Sequence, residues 1–499
     1  MGQVQTENYV EAVLSGIGTD PERVVFRQPD GSALTAAEVT DLIHRTAHVL
    51  RARGVRRSST VAIMSGNRAE VQTTRYAANL IGARVVSLYE GMAADTLAVI
   101  AGDVETDVLV VDQERAAAGA SIAEQAHIKE LLTFDELLAL LPDALNTPVA
   151  PEPVRADEIW CVRHTGGTTG HPKGILLPYG AYAKQLTDPR RPRIPGVMLV
   201  ASTLAHLAGM LADGTLIAGG SVVLHAGFEP ARVLADVEKH RVNMLWLLPA
   251  LLYQLAEQQL REPRDTSSLR MIIYGGASSS PVKIAQAVEA FGPVLTQFYG
   301  QTEAGGVSML TPEDHKHFER LGTAGKVLPG IEIRFVDADG NDVPPGTSGE
   351  IVKKSTGDAR GYLNNPELTA QVWRDGWVHT GDVGFLDADG YLHIQDRIKD
   401  MIIVVGGHVY PAEVESVLLT HPAIAAAAVF GVRDSDNTEQ VHAALVFRPG
   451  NELSLEDVRS HVADRLGRQY APAGITVVDA IPLTDAGKPD KKLLRSRVR

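Results

Sequence analysis

A segment rich in glycine and threonine, residues 164–174 (HTGGTTGHPKG), carries a single lysine near its end. Glycine lets backbone N–H groups approach a ligand closely, threonine hydroxyls add hydrogen-bond donors, and Lys173 adds a positive charge. Together these groups suit a polyphosphate. A flexible linker is a poorer interpretation, because linkers favour serine and lack a lysine framed by proline and glycine.

The spacing of this segment differs from two common phosphate loops. Lys173 is followed by Gly174, so the Walker pattern G-x-x-x-x-G-K-[ST] is absent, and the dinucleotide fingerprint is absent as well. The apolar run 159–162 (IWCV) predicts a buried strand that leads into the segment. Cys161, within this run, is interpreted as an inert core thiol and not as a nucleophile.

Three other short segments hold residue types suited to nucleotide chemistry. Residues 299–303 (YGQTE) bring a carboxylate, the ligand that a hard cation on ATP phosphates requires. Residues 274–278 (YGGAS) follow a predicted strand and offer two glycines over which a flat base can lie. Residues 377–382 (WVHTGD) end in an aspartate. Taken alone, each segment also fits an ordinary turn or the end of a secondary-structure element.

In this order along the chain, the segments resemble the signatures of the adenylate-forming superfamily. This superfamily includes acyl- and aryl-CoA synthetases, firefly luciferase and peptide-synthetase adenylation domains. The resemblance implies ATP, Mg²⁺ and CoA as ligands. It implies that the phosphates of ATP are bound by Thr165, Gly166, Gly167, Thr168, Thr169, Gly170 and Lys173.

The resemblance also implies how the rest of the nucleotide is bound. The ring of Tyr299 stacks on adenine, Thr302 hydrogen-bonds the α-phosphate, and Glu303 binds Mg²⁺ together with Thr168. Adenine and the acyl pocket are bordered by Gly275, Gly276 and Ala277.

In the C-terminal part of the chain, the resemblance implies further nucleotide contacts and the residues that take part in a domain rotation. Asp382 accepts hydrogen bonds from both ribose hydroxyls, and Arg397 contacts the ribose and the phosphate. Lys399 is the hinge about which the C-terminal domain rotates. Lys488, in 485–489 (DAGKP), bridges the carboxylate and the α-phosphate in one domain orientation only. The path of the pantetheine arm of CoA is lined by Gly406 and Gly407.

The implied reaction has two steps. A carboxylate attacks the α-phosphorus of ATP to give acyl-AMP and pyrophosphate, and a thiol then displaces AMP after the domain rotates. Rotation lets one site serve two steps whose geometries differ. The implied activity is that of an ATP-dependent acid–CoA ligase.

Several residues depart from the usual superfamily pattern. Many relatives have serine where Gly166 stands, and Arg163 and His164 occupy positions that are more often aromatic or small. The departures at Arg163 and His164 argue against an ordinary fatty acid as substrate, whereas ATP binding is expected to survive with glycine at position 166. The acyl-pocket histidine matches His206, whose neighbours are small or aliphatic, and a core histidine is an equal alternative. The small residues 304–306 after the glutamate leave room for a medium or bulky acyl or aryl group.

Two other functions stay open within this resemblance. Some relatives activate nitrite and transfer it to an arylamine, and the unusual pair Arg163 and His164 is compatible with such a diazotase. A stand-alone adenylation enzyme that loads a carrier protein is the second alternative.

Alternating patterns predict the elements that hold these residues. The first 150 residues predict βαβ units, including a helix from Thr35 to Arg53 with Glu38 completing a capping box. Asp-Gly turns after about residue 322 predict antiparallel strands. We therefore expect an α/β fold: a large N-terminal domain, 1–396, of parallel βαβ sheets with a small β-barrel-like subdomain, and a small mobile α+β lid domain, 397–499.

Composition narrows the class of protein. The net charge is −14, from 47 basic and 61 acidic residues, which argues against a nucleic-acid partner. No apolar run approaches the roughly 20 residues that a membrane-spanning helix needs. A single cysteine fits the reducing cytoplasm, which is the expected location. The predicted partners are a small acid and CoA, and the sequence leaves a homodimer open.

Overall fold

The computed structural model describes residues 5–6, 8–89, 92–165, 172–189, 193–404, 407–433, 439–484 and 487–498. By contacts the chain divides into two compact units. The first unit contains residues 1–247, 264–272 and 356–370, and the second contains 248–263, 273–355 and 371–499. The predicted boundary between residues 396 and 397 stays a prediction.

The first unit alternates strands and helices. Its strands are β1 Gln5–Thr6, β2 Val24–Arg27, β3 Ala33–Thr35, β4 Thr60–Met64, β5 Arg84–Ser87, β6 Val108–Val111, β7 Glu130–Thr133, β8 Val154–Arg155, β9 Ile159–Thr165, β10 Lys173–Pro178, β11 Val197–Val200, β12 Ser221–Leu224 and β13 Met244–Leu247. Its helices are α1 Tyr9–Ile17, α2 Ala36–Ala52, α3 Ala69–Leu80, α4 Ala94–Asp103, α5 Ala116–Gln125, α6 Phe134–Leu140, α7 Tyr179–Thr187, α8 Leu207–Ile217 and α9 Pro230–His240.

Two mainly parallel sheets organise these elements. One sheet has the order β10-β9-β5-β4-β6-β7, in which only the edge strand β10 runs antiparallel. The other contains β13-β11-β12-β2-β3, with β3 antiparallel to β2. All five residues of β4 are buried, as expected for a strand covered on both faces. The predicted βαβ architecture is confirmed.

Several local sequence patterns predict features of the fold correctly. Helix α2 begins after Thr35, whose side chain accepts from the backbone N–H of Glu38, and the Glu38 side chain accepts from the N–H of Thr35. This is the predicted capping box. Cys161 lies in β9 and is buried, as predicted, and burial raises the pKa of its thiol. Among the described residues, no helix is long and apolar enough to cross a membrane.

The second unit contains the later elements, of which β14 and α12 begin within the first unit. The strands are β14 Met271–Gly275, β15 Leu295–Gln301, β16 Gly305–Leu310, β17 Lys326–Val327, β18 Ile333–Val336, β19 Gly349–Lys354, β20 Trp373–Arg374, β21 Trp377–Leu386, β22 Leu392–Arg397, β23 Ile402–Val404, β24 Gly407–Val409, β25 Ile424–Arg433, β26 Glu439–Phe447 and β27 Gly474–Val477. The helices are α10 Pro249–Arg261, α11 Pro281–Phe291, α12 Pro366–Val372, α13 Pro411–Leu418, α14 Leu455–Leu466 and α15 Lys491–Arg497.

Antiparallel pairing dominates the second unit, as the Asp-Gly turns predict. Strands β18-β19-β21-β20 form one sheet, and β22 pairs with β21. Strands β25-β26-β27 form another, over which α13 and α14 pack. The polar segment after α14 contains two further elements, β27 and α15, which the sequence does not predict. These elements escaped prediction because they are short, and within α15 only Leu494 is buried.

Candidate active site

Asp382 accepts hydrogen bonds from three side chains. Its Oδ2 accepts from Tyr299 Oη at 2.7 Å and from Gln301 Nε2 at 2.6 Å, and its Oδ1 accepts from Arg397 Nε at 3.0 Å. A carboxylate offers about four acceptor positions, so three are occupied. The expectation that Asp382 binds both ribose hydroxyls therefore requires one of these donors to move.

The strands around Asp382 fix its orientation. Asp382 on β21 is paired in register with Arg397 on β22, so the two side chains lie on one face. The Thr380 hydroxyl accepts from the backbone N–H of Asp382 at 3.1 Å and donates to the carbonyl of Ile351 at 2.6 Å. Asp382 is only 5% exposed, so this carboxylate is preorganised by protein donors.

Thr302 and Glu303 lie in a short hairpin loop, 302–304. Gln301 at the end of β15 pairs with Gly305 at the start of β16. Gly305 has φ +69°, which suits a three-residue hairpin loop followed by a left-handed residue. Behind the loop, the buried ammonium of Lys353 donates to the carbonyl of Ala304. The glutamate is thus carried by a turn between two strands.

Lys488 lies among charged side chains of the second unit. The Lys488 side chain is exposed to solvent, yet desolvation by the protein around it and the positive charge of Arg397 lower its pKa to about 8, against the opposing effect of Asp382 and Glu303. Lys399, the predicted hinge, also acts on Lys488. Burial disfavours the charge of Arg397, but Asp382 and Glu303 offset it, and the pKa of Arg397 lies above its ordinary value. These predicted site residues are therefore brought together.

The loop that carries Lys488 is closed by its own backbone. Thr484 N donates to the carbonyl of Lys488 at 2.7 Å, and Gly487 N donates to the carbonyl of Thr484 at 2.7 Å. Gly487 has φ +73°, in the left-handed region that favours glycine. The lysine is thus presented from a tight turn.

The two glycines at the end of β14, Gly275 and Gly276, are explained in different ways. A methyl group at Gly275 would stand 2.1 Å from the carbonyl oxygen of Phe298, so close strand packing already requires glycine there. Gly276 has φ +80° and is exposed, and Ala277 is half-buried. Gly276 and Ala277 are therefore the better candidates for a surface beneath a flat base.

The predicted phosphate loop connects two paired strands. Lys173, at the start of β10, is in register with Thr165, at the end of β9, so a β-hairpin holds both ends of the loop. The Nζ of Lys173 lies 5.7 Å from the centre of the Tyr362 ring. Gly407 begins β24. The predicted residues that lie outside the described part of the chain are Gly166, Gly167, Thr168, Thr169, Gly170 and Gly406.

The His206 segment, residues 202–209 of the first unit, follows β11. The imidazole of His206 stacks on the ring of Tyr89, with ring centres 4.7 Å apart and planes inclined by 15°. A methyl group at Gly209 would stand 2.1 Å from the carbonyl oxygen of Leu204, so the segment turns back tightly on itself. His206 is half-buried at the start of α8, and is therefore not a fully buried core histidine.

The unusual pair before the phosphate loop lies in the interior of the first unit. His164 is 2% exposed, and burial lowers its pKa to about 4, so the ring is neutral near pH 7. The guanidinium of Arg163 reaches the sulfur of Met210 at 3.3 Å. Among the described residues, neither Nδ1 of His164 nor Nε of Arg163 has a hydrogen-bond partner.

The sequence does not indicate the role of Asn67, which anchors the His206 segment. Its Nδ2 donates to the carbonyls of Ser202 and His225, at 2.7 and 3.0 Å, and its Oδ1 accepts from the N–H of Leu204 at 2.9 Å. One amide thus fixes the start of the His206 segment. No sequence signal indicated this, because the bonded residues lie more than 130 positions away.

Comparison with known proteins identifies the family. The model of the family described as AMP-binding enzyme matches residues 17–363, and that of the AMP-binding enzyme C-terminal domain matches residues 413–488. Among curated proteins, a medium/long-chain-fatty-acid–CoA ligase, FadD8 of Mycobacterium tuberculosis, is 34% identical over 93% of this chain and 86% of its own length. A feruloyl-CoA synthase of Amycolatopsis sp is 34% identical over 97% of this chain and 99% of its own.

A solved structure extends the similarity to the whole fold. The amide bond synthetase McbA from Marinactinospora thermotolerans is 35% identical, with a TM-score of 0.88, over 98% of this chain and 99% of that one. The match includes a large N-terminal domain with parallel sheets and a smaller C-terminal domain. The chain therefore belongs to the AMP-binding enzymes of the adenylate-forming superfamily, as an AMP-forming enzyme of the acyl-CoA synthetase type.

Proposed function

We propose that this enzyme is an ATP-dependent acid–CoA ligase for aryl, arylalkyl or medium-chain carboxylic acids. The observation that carries the proposal is the position of Lys488, whose ammonium interacts electrostatically with Glu303, Asp382 and Arg397. In the first step an oxygen of the acid bonds to the α-phosphorus of ATP, and the bond from that phosphorus to pyrophosphate breaks. A cation held at this point stabilises the negative charge that develops on the phosphate oxygens.

Mg²⁺ fits the residues of the proposed site. Glu303 offers a carboxylate in the 302–304 loop, and one carboxylate with substrate phosphates is a common donor set for Mg²⁺. When bound, the ion neutralises phosphate charge. The chain's own contribution is to carry Glu303 on the hairpin between β15 and β16 and to hold Lys488 within electrostatic range of it.

The nature of the acid is proposed from the His206 segment and from the relatives. The half-buried imidazole of His206 is held flat against the buried ring of Tyr89, and a planar ring held in this way favours a planar acyl group beside it. One similar protein is named for feruloyl-CoA and another for medium- and long-chain fatty acids. We therefore place aryl and arylalkyl acids first and medium-chain acids second.

In the second step, the thiol sulfur of CoA attacks the acyl carbon and AMP leaves. A second candidate acceptor is an amine, which gives an amide by the same displacement. It is favoured by the 35% identity to an amide bond synthetase over nearly the whole length of both chains. Both candidates share the first step and differ only in the nucleophile of the second.

One assay separates these functions. Pyrophosphate and AMP release from Mg-ATP is followed with ferulate, indoleacetate, octanoate and nitrite, each with CoA, with an arylamine, or with neither. Release with a carboxylic acid and an acyl-CoA mass would support the ligase. An amide mass formed only with the amine would support the second candidate. Release with nitrite and arylamine alone would support a diazotase and refute both.

A further inference from the structure

Leu248, directly before α10, lies against the loop that carries Lys488. A methyl group at Gly487 would stand 2.2 Å from Cδ1 of Leu248, so the two residues touch closely. On its other side, Cδ2 of Leu248 would be 3.3 Å from a methyl group at Gly276. The leucine side chain therefore fills the space between the segment after β14 and the lysine loop.

Glu257 provides a second contact near the other end of α10. Its Oε1 lies 2.9 Å from Nζ of Lys283 on α11 and 3.2 Å from a guanidinium nitrogen of Arg448, which follows β26. Burial acts to raise the pKa of Glu257, but the two cations lower it below its ordinary value. The carboxylate is therefore ionised at neutral pH and links α10 to the C-terminal part of the chain.

The two contacts together define how the C-terminal part of the chain is oriented relative to α10. Leu248 and Glu257 are nine positions apart, about 13 Å along a helix with 1.5 Å rise per residue. A single contact would allow the C-terminal part to pivot, whereas two separated contacts, at Arg448 and Gly487, restrict rotation. The orientation that they fix is the one in which Lys488 interacts electrostatically with Glu303, Asp382 and Arg397.

We propose that Leu248 and Glu257 are positioning residues that hold Lys488 in place for adenylate formation, and that both contacts part for the second step. The inference rests on the proposed function, in which one chain performs both steps. It predicts an effect confined to the first step. A residue that only stabilised the fold would affect both steps alike.

The first test needs no acid. Hydrogen exchange is measured with Mg-ATP alone in the wild type, Leu248→Ala, Arg448→Glu, Arg448→Lys and Arg468→Glu. Arg448→Glu places a like charge beside Glu257, Arg448→Lys keeps the ion pair, and Arg468→Glu makes the same charge change at an exposed position on the same part of the chain. We expect about fivefold faster exchange in the peptide containing Gly487 for Leu248→Ala and Arg448→Glu only. Wild-type exchange in both would overturn the proposal.

The second test separates the two steps. Glu257→Cys combined with Arg448→Cys is joined by a short bis-maleimide, and the buried Cys161 is not expected to compete for the reagent. The cross-linked enzyme should release pyrophosphate once per enzyme with an active acid of the panel and should form no product with the acceptor. Product formation at the wild-type rate while cross-linked would overturn the proposal.

The two tests also distinguish failure of the inference from failure of the proposed function. If the wild type releases pyrophosphate but makes no acyl-CoA, the proposed acceptor is wrong, and the cross-linked enzyme is compared with whichever acceptor reacts. If no acid of the panel reacts, hydrogen exchange alone decides. Equal loss of both steps in Arg448→Glu, with Arg468→Glu unaffected, would also contradict a role confined to adenylate formation.

Discussion

Asp382 and His206 represent two ways of preparing a site before its substrate arrives. Asp382 is fixed by charged and polar partners: three side-chain donors, a threonine behind it, and a register pair across two strands. His206 is held by a ring stack, a tight glycine turn and the backbone anchors of Asn67. The first arrangement fits one constant ligand. In the second arrangement, the sizes of the neighbouring side chains determine the space beside the imidazole ring of His206.

This contrast predicts that substitutions in the two regions change different kinetic quantities. Substitutions around Asp382 and Lys488 should slow activation of every acid by the same factor, because each acid uses the same nucleotide. Substitutions around His206 should change the ratio of rates between acids and leave nucleotide binding intact. A variant that violates this pattern would remove the distinction between the two regions.

The largest expected effect comes from Lys488→Ala. Removing this cation should lower the rate of pyrophosphate release about 10²–10³-fold with every acid, because the developing phosphate charge loses a preorganised partner. Reaction of supplied acyl-AMP with the acceptor should stay near the wild-type rate. Single-turnover kinetics of the two steps provide the measurement, and equal loss in both would contradict the assigned role.

The pH dependence of the first step should reflect the titration of the same lysine. With the pKa of Lys488 lowered to about 8, its charged form is lost as pH rises through 8, and kcat/KM for ATP should fall about fivefold between pH 8 and 9. Lys488→Arg should keep its charge and remove this limb of the profile. Pyrophosphate release without CoA avoids titration of the CoA thiol. An unchanged alkaline limb in Lys488→Arg would assign the pKa to another group.

A smaller effect is expected on the preference of the enzyme between acids. Tyr89→Leu removes the ring face against His206, and aromatic pairs of this kind contribute about 0.5–1.5 kcal/mol. The ratio of kcat/KM for ferulate to that for octanoate should fall about 2- to 10-fold, while KM for ATP stays unchanged. Tyr391→Leu, in the second unit, is the matched control. A uniform loss with both acids would mean that Tyr89 supports the fold and not acid preference.

The last expected effect concerns the stability of the fold and leaves the two regions compared above unchanged. His164 has a folded-state pKa of about 4, below the ordinary 6.5, so the unfolded chain binds a proton first as pH falls between these values. The wild type should lose about 2 kcal/mol between pH 7.5 and pH 5 through this group, and His164→Gln should lack that loss. Urea unfolding at the two pH values measures the difference. Parallel losses in both proteins would show that His164 does not titrate as described.

Much of the fold follows from local patterns. The capping box of α2, the buried run of β4 and the Asp-Gly turns after residue 322 each depend on residues close together in sequence, so these patterns suffice. Strand β27 and helix α15 were missed because packing against distant residues, and not an internal pattern, stabilises them. The polar C-terminal sequence gave no comparable signal.

The candidate site divides in the same way. Glu303, Asp382, Arg397 and Lys488 lie in short segments whose residue types indicate nucleotide chemistry. Asn67, Leu248 and Arg448 do not, since an asparagine, a leucine or an arginine is ordinary at most positions. Their importance comes from partners more than 130 positions away, which only the folded chain brings together.

The single cysteine has a practical consequence. Cys161 is buried in β9 with a raised pKa, so it presents little thiolate at neutral pH. A protein proposed to handle a thiol substrate thus has no reactive thiol of its own to form mixed disulfides with it. Colorimetric thiol reagents should report CoA consumption with negligible background from the folded protein. Cysteines introduced at chosen surface positions should accept a single fluorophore each without prior removal of the native one.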